Sequence, residues 1–121
     1  MSDFRWILHK GKRIIYAEMA GKSTEEILNA IASAKLEIRK EPPTESVLSL
    51  INVKGGKIST EINQAFKDLE KDTRPYMKMT AVIGVEGLQS IMLNGILMFT
   101  RTKKVTVKNS KEEALDFLAG L

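Results

Sequence analysis

The sequence contains no cysteine. This absence excludes a disulfide framework, thiolate metal sites and a cysteine nucleophile. A chain without cysteine suits a reducing compartment. Residues 1–10 are too polar for a signal peptide. We therefore expect a cytoplasmic protein. No apolar run approaches the roughly 20 residues that span a bilayer, so we expect no stable membrane insertion.

Aromatic residues and unbalanced charge are also scarce. Aromatic side chains make up 6% of the 121 residues, and 19 basic against 15 acidic residues give a net charge of +4. Two short basic clusters, at residues 10–13 and 101–104, fall short of the dense basic stripe with exposed aromatics that nucleic-acid binders show. We therefore expect no nucleic-acid partner. The clusters indicate a solvated rim, with a weak site for an acidic partner or a membrane surface as the alternative.

Patterns that indicate catalysis are missing. The one histidine, His9, stands on a predicted edge strand without a matching carboxylate cluster, which is typical of a solvated side chain. The turn from Gly84 to Gly87 follows a predicted strand but lacks the third glycine of a dinucleotide-binding fingerprint. We expect no enzyme, with no catalytic residue, no cofactor and no metal site.

Hydrophobic periodicity alternates between strand and helix along the whole chain. No linker or repeat interrupts it, so a single domain over residues 1–121 is expected. Strands are predicted at residues 4–9, 13–20, 46–53, 77–85 and 103–108, and helices at residues 23–39, 59–71, 88–100 and from 110 onward. The order β-β-α-β-α-β-α-β-α predicts an α/β fold whose mostly parallel sheet has four to five strands, the first forming an antiparallel hairpin.

Several segments of the second half resemble a known family. They are RPYMK at residues 74–78, AVIGVEGL at residues 81–88 and Leu93-Asn94, with the EPP break at residues 41–43. With the element order, they resemble the STAS-like family, which shares its fold with the sporulation anti-sigma factor antagonists, and in particular a bacterial branch of small stand-alone proteins. The resemblance runs from about Gly11 to Leu118. It implies a STAS-like fold and a non-enzymatic signalling or protein-interaction domain.

One family motif is absent. In anti-sigma factor antagonists, a regulatory serine in an Asp-Ser sequence lies where the strand after the first helix meets the next helix. The corresponding segment here is VKGGKIST at residues 53–60, in which no aspartate precedes Ser59 or Thr60. This departure argues against regulation by an anti-sigma kinase. We expect Ser59 or Thr60 to cap the second helix, with a structural role.

A glycine-containing loop is the first candidate site. It follows a predicted buried strand and precedes a helix, where free backbone amides and the helix dipole favour anions. Its spacing does not match a P-loop, and a flexible surface loop is the alternative. The candidate residues for a ligand or anion share this edge of the predicted sheet: Lys54, Gly55, Gly56, Lys57, Ser59, Thr60, Gly84 and Gly87.

The helix predicted over residues 88–100 is the second candidate. Leu93 and Leu97 lie one turn apart and fall off its buried face, so its apolar arc is wider than one sheet can cover. This indicates a contact surface for a protein partner, for a second copy in a dimer or for a hydrophobic ligand. Packing against the terminal helix is the alternative.

These features favour a domain that binds a protein through the 88–100 helix and the loops at the carboxyl ends of the strands. The alternative function is a small-ligand domain for a nucleotide or a lipid.

Overall fold

The computed structural model describes residues 4–55, 59–85 and 104–121. The strands are β1 (Phe4–His9), β2 (Lys12–Glu18), β3 (Val47–Asn52), β4 (Met77–Ile83) and β5 (Val105–Val107). The helices are α1 (Thr24–Ile38), α2 (Thr60–Thr73) and α3 (Lys111–Ala119). The helix predicted over residues 88–100 lies outside the described residues.

The five strands form one sheet in the order β1-β2-β3-β4-β5. β1 pairs with β2 in an antiparallel hairpin, and the three other neighbouring pairs are parallel. The predicted α/β fold, with a mostly parallel sheet and an N-terminal antiparallel strand, is confirmed.

Helices cover both faces of the sheet. In β3, Leu48 and Leu50 point toward α3, whereas Ile51 points toward α1 and α2, because successive side chains of a strand alternate between faces. α1 and α2 share one face, where Ile31 and Leu69 belong to the same buried cluster. The central strands are therefore apolar on both sides, as parallel strands between two helical layers must be.

Serine caps begin all three described helices. The hydroxyl oxygens of Ser23, Ser59 and Ser110 each accept a hydrogen bond from the backbone N–H three residues later, at 3.1–3.2 Å. At α1 the Glu26 side chain also accepts from the Ser23 backbone N–H, which completes the predicted capping box. At α2 the cap is Ser59, and Thr60 is the first helical residue.

His9 is not the solvated side chain expected from its place on an edge strand. Its Nε2 lies 2.8 Å from Oδ1 of Asp116 in α3, and Nζ of Lys10 lies 3.0 Å from the same oxygen. The hydrogen bond from His9, followed by that from Lys10, holds the pKa of Asp116 below its usual value. This cluster fastens the end of the hairpin to the terminal helix.

Replacing Asp116 with asparagine should therefore destabilise the protein in a pH-dependent way. A carboxylate with a lowered folded-state pKa stabilises above its unfolded pKa of about 4 and loses that effect as pH falls through the folded value. We expect Asp116→Asn to lower the free energy of unfolding at neutral pH and to make less difference in acid, measured by urea unfolding across pH. Glu112→Gln, which removes an exposed carboxylate of the same helix, is the control. An Asp116→Asn effect of equal size at every pH would contradict this account.

Candidate functional site

Three loops meet at the carboxyl edge of the sheet. They follow β2, β3 and β4, and parallel pairing brings these strand ends to the same edge. The backbone N–H of Gly21 donates to the carbonyl oxygen of Lys54 at 3.0 Å, and the Lys54 N–H donates to Oδ1 of Asn52 at 3.1 Å. The loop after β3 is thus fastened to the loop after β2 and to the end of its own strand.

Gly84 closes the other side of this loop. Its φ is +79°, and a Cβ placed on it would lie 2.6 Å from Cβ of Lys54 and 2.7 Å from the Lys54 backbone nitrogen. Such distances exclude any side chain unless the backbone moves. The sequence predicted a tight turn at Gly84, and the structure adds that glycine is needed here for contact with Lys54 as well as for its backbone conformation.

Among the described connections, those leaving β2 and β3 form no switch-point crevice at this edge. In doubly wound sheets, ligands bind where successive crossover connections leave toward opposite faces of the sheet. Here α1, which connects β2 to β3, and α2, which connects β3 to β4, pack on the same face. In the described part of this edge, the three loops contact one another at Gly21, Lys54 and Gly84.

A buried tyrosine supports the same edge from the α3 side. Tyr16 is 4% exposed, and its hydroxyl donates to Oε2 of Glu18 at 2.5 Å. The other Glu18 oxygen accepts from the Ala20 backbone N–H at 3.1 Å, which orders the loop after β2. Burial, reinforced by the hydrogen bond to Glu18, raises the pKa of Tyr16. The guanidinium of Arg5 and the ammonium of Lys111 lie 5.2 Å and 4.5 Å from the centroid of the ring.

This tyrosine network was not predicted from the sequence. One signal was present, because Tyr16 and Glu18 are two residues apart and therefore share a face of β2. Arg5 stands directly opposite Tyr16 in the predicted hairpin, whereas the contact with Lys111 of α3 had no comparable signal. The network stabilises the strand end, and we assign it no catalytic role.

The structure brings some of the predicted site residues together. Lys54, Gly55 and Gly84 lie at one edge, and Ser59 and Thr60 begin α2 at the same edge. The other predicted residues lie outside the described parts of the chain: Gly56, Lys57, Gly87, Leu93 and Leu97.

The basic clusters lie at the opposite, amino edge of the sheet, as predicted for their described members. A guanidinium nitrogen of Arg13 lies 3.0 Å from Oε1 of Glu41, and Nζ of Lys104 contacts Oε1 of Glu45 at 2.5 Å. Both pairs border this edge, where an open groove of about 560 Å³ runs beside Trp6. These ion pairs neutralise part of the basic charge at the amino edge.

Metal clusters and membrane-spanning helices are both absent from the parts of the chain that the structure describes. Among the described residues, no three histidine, aspartate or glutamate side chains come close enough together to hold a metal ion. No helix within residues 4–55, 59–85 and 104–121 is long and apolar enough to cross a membrane.

A solved structure has the same architecture. It is described as an anti-sigma-factor antagonist (STAS) domain protein from Planctomyces limnophilus, and it superposes with a TM-score of 0.65 over 98% of this chain and 99% of that one. The chain has a STAS-like fold. The two sequences are 14% identical, so the similarity concerns the fold alone. No protein-family model matches the sequence, and no curated protein matches it either.

The contact between Gly84 and Lys54 can be tested against a second glycine. Gly84→Ala adds both a positive-φ penalty of about 1–2 kcal/mol and a clash with backbone atoms, so it should destabilise the protein by more than that amount. Gly11→Ala is the matched control, because Gly11 has φ +80° but no neighbouring atom within 4 Å of the position that a Cβ would take. Urea unfolding measures both variants. Equal losses of unfolding free energy would mean that the contact with Lys54 is unimportant.

The tyrosine network of this STAS-like domain predicts a loss of stability in alkali. A phenol whose folded-state pKa is raised stabilises below its unfolded pKa of about 10 and loses that effect as pH rises through the folded value. We expect Tyr16→Phe to cost about 1 kcal/mol at neutral pH, with the difference from wild type shrinking above pH 10. Urea unfolding at increasing pH measures this. Tyr76→Phe removes the chain's other phenol, and the same pH dependence in both variants would contradict the assignment to Tyr16.

Proposed function

We propose that this chain is a non-enzymatic, cytoplasmic signalling domain that binds a protein partner. The binding surface comprises the loops at the carboxyl ends of the strands and the helix predicted over residues 88–100, with Leu93 and Leu97 in the interface. The STAS-like fold supports this proposal, since the solved structure with that fold is described as an anti-sigma-factor antagonist domain protein.

The packing of the Lys54 loop is the observation that carries the proposal. Gly21 binds this loop through a backbone hydrogen bond on one side, and Gly84 packs against it on the other. A surface held in this way loses little conformational entropy when a partner binds, which favours recognition of a preformed shape. Because the described connections leaving β2 and β3 form no switch-point crevice there, this part of the surface suits a protein better than an enclosed small molecule.

Charge indicates the chemistry of the partner. Lys54 is exposed at this edge, and Lys57 follows it within the same loop of the sequence. The N-terminus of α2 begins at the same edge and adds the positive end of its dipole. An acidic surface on the partner complements these groups.

Charge reversal at the two edges of the sheet tests the proposal. The partner is captured from native cells with the wild-type chain, purified, and then titrated against Lys54→Glu and Lys12→Glu. Both lysines are exposed, but Lys12 lies at the amino edge and serves as the control. We expect Lys54→Glu to weaken binding by about tenfold or more and Lys12→Glu to leave it nearly unchanged, because like charges placed opposite each other disfavour association.

Other outcomes would replace the proposal. Equal weakening by both variants would mean that net charge, not this edge, governs binding. A nucleotide or lipid that stays bound in native mass spectrometry and is lost on Lys54→Glu would support the small-ligand alternative at the anion site proposed for Lys54, Gly55 and Gly84.

A further inference from the structure

Strand β1 is an edge strand of the described sheet, and no described strand pairs with its outer side. It is the first strand of the sheet order, and its ladder partner among the described residues is β2. The register between β1 and β2 runs from Phe4 opposite Ala17 to His9 opposite Lys12 without a shift. Pairing along this edge uses backbone groups of residues 4–9, which are not part of the loop surface of the proposed function, so it does not depend on that function.

The hairpin turn determines which backbone groups face outward. Lys10 and Gly11 have φ of +50° and +80°, which is the pattern of a two-residue type I′ turn. Such a turn closes with a hydrogen-bonded pair, here His9 and Lys12, and bonded and non-bonded pairs then alternate along the hairpin. The backbone N–H and C=O groups of alternate β1 residues therefore point away from β2: Phe4, Trp6 and Leu8.

The edge carries few of the features that prevent strand pairing. Natural edge strands are usually protected by proline, by a bulge or by charges along the edge. Residues 4–9 contain no proline, and the ladder has no bulge. The charged side chain of Arg5 lies over the Tyr16 ring, on the α3 face. On the opposite face, Leu8 is 73% exposed, more than any other large apolar residue in the described parts of the chain.

We propose that β1 pairs with β1 of a second copy, in antiparallel orientation, to form a continuous ten-stranded sheet. A two-fold axis at Trp6 places Leu8 opposite Phe4 of the second copy and Phe4 opposite Leu8 of the second copy. Each outward-facing residue then meets another outward-facing residue, which forms three hydrogen-bonded pairs. The exposed Leu8 side chain gains an aromatic neighbour on its own face of the sheet.

The charge pattern and the length of β1 select this register. With the axis at Trp6, Arg5 stands opposite Ile7 of the second copy. An axis at Ile7 would leave Phe4 opposite the turn residue Lys10 and would form two hydrogen-bonded pairs instead of three, and an axis at Arg5 would place two arginines directly opposite each other. Like charges in directly opposite positions destabilise a ladder. The pairing centred on Trp6 is therefore self-complementary, which favours a second copy over an unrelated peptide.

A proline at Leu8 tests the pairing without disturbing the hairpin. Leu8→Pro removes an N–H that faces away from β2, so the β1–β2 hydrogen bonds remain. We expect sedimentation to show a wild-type dimer and a dissociation constant at least about tenfold higher for Leu8→Pro, because the change removes two hydrogen bonds per dimer. Leu8→Ala keeps the N–H and is the control, for which a smaller change is expected. A monomeric wild type, or a folded Leu8→Pro variant as dimeric as the wild type, would overturn the proposal.

Cysteine cross-linking tests the register even where the proline variant fails to fold. The chain has no cysteine, so any disulfide reports an introduced pair. Residues 5 and 7 of opposite copies form a non-hydrogen-bonded pair with Cα atoms about 4.5 Å apart, which is within disulfide range. We expect Arg5→Cys mixed with Ile7→Cys to cross-link more readily than Arg5→Cys alone. Equal cross-linking, or none, would overturn the proposed register.

Discussion

Strand β3 is buried on both faces and paired along both edges, and the remaining structure is arranged around it. Residues 47–51 are all buried, between parallel neighbours β2 and β4. Because each face of such a strand needs an apolar cover, α1 and α2 pack on one side and α3 on the other. Parallel pairing also requires crossover connections, which begin at the carboxyl edge of the sheet. The position of the candidate surface therefore follows from the burial of one strand.

The central position of β3 also explains the packing of its loop. Lys54 follows β3, which lies between β2 and β4, so the loops after both of these strands approach it. Gly21 approaches through a backbone hydrogen bond, and Gly84 approaches so closely that a Cβ would overlap Lys54. Glycines on both sides allow the loops to approach Lys54 closely. The result is a surface whose shape is determined by backbone contacts, while the Lys54 side chain stays exposed.

The sequence predicted the features that depend on local pattern. The apolar run at residues 47–51 predicted β3, and Ser23 with Glu26 predicted the start of α1. The shared edge of Lys54 and Gly84 followed from parallel pairing. The candidate residues within 86–103 stay predictions, since the structure does not describe them. Contacts between distant elements were not predicted, because hydrophobic periodicity does not specify which side chains meet across layers. The ladder bulge was also missed: pairing passes from Met77 to Met79, a shift without a local signal.

Contacts between distant elements explain why the two edges of the sheet differ. At the amino edge, Arg13 pairs with Glu41 and Lys104 with Glu45, so acidic side chains compensate basic ones within the domain. At the carboxyl edge, glycine packing holds the backbone and leaves the Lys54 side chain exposed. Exposed ion pairs contribute little to stability, but they reduce the charge that a partner meets. The net charge of +4 therefore indicates less about partners than the placement of the basic residues does, and the exposed Lys54 is the reason why we propose the carboxyl edge as the one that meets an acidic surface.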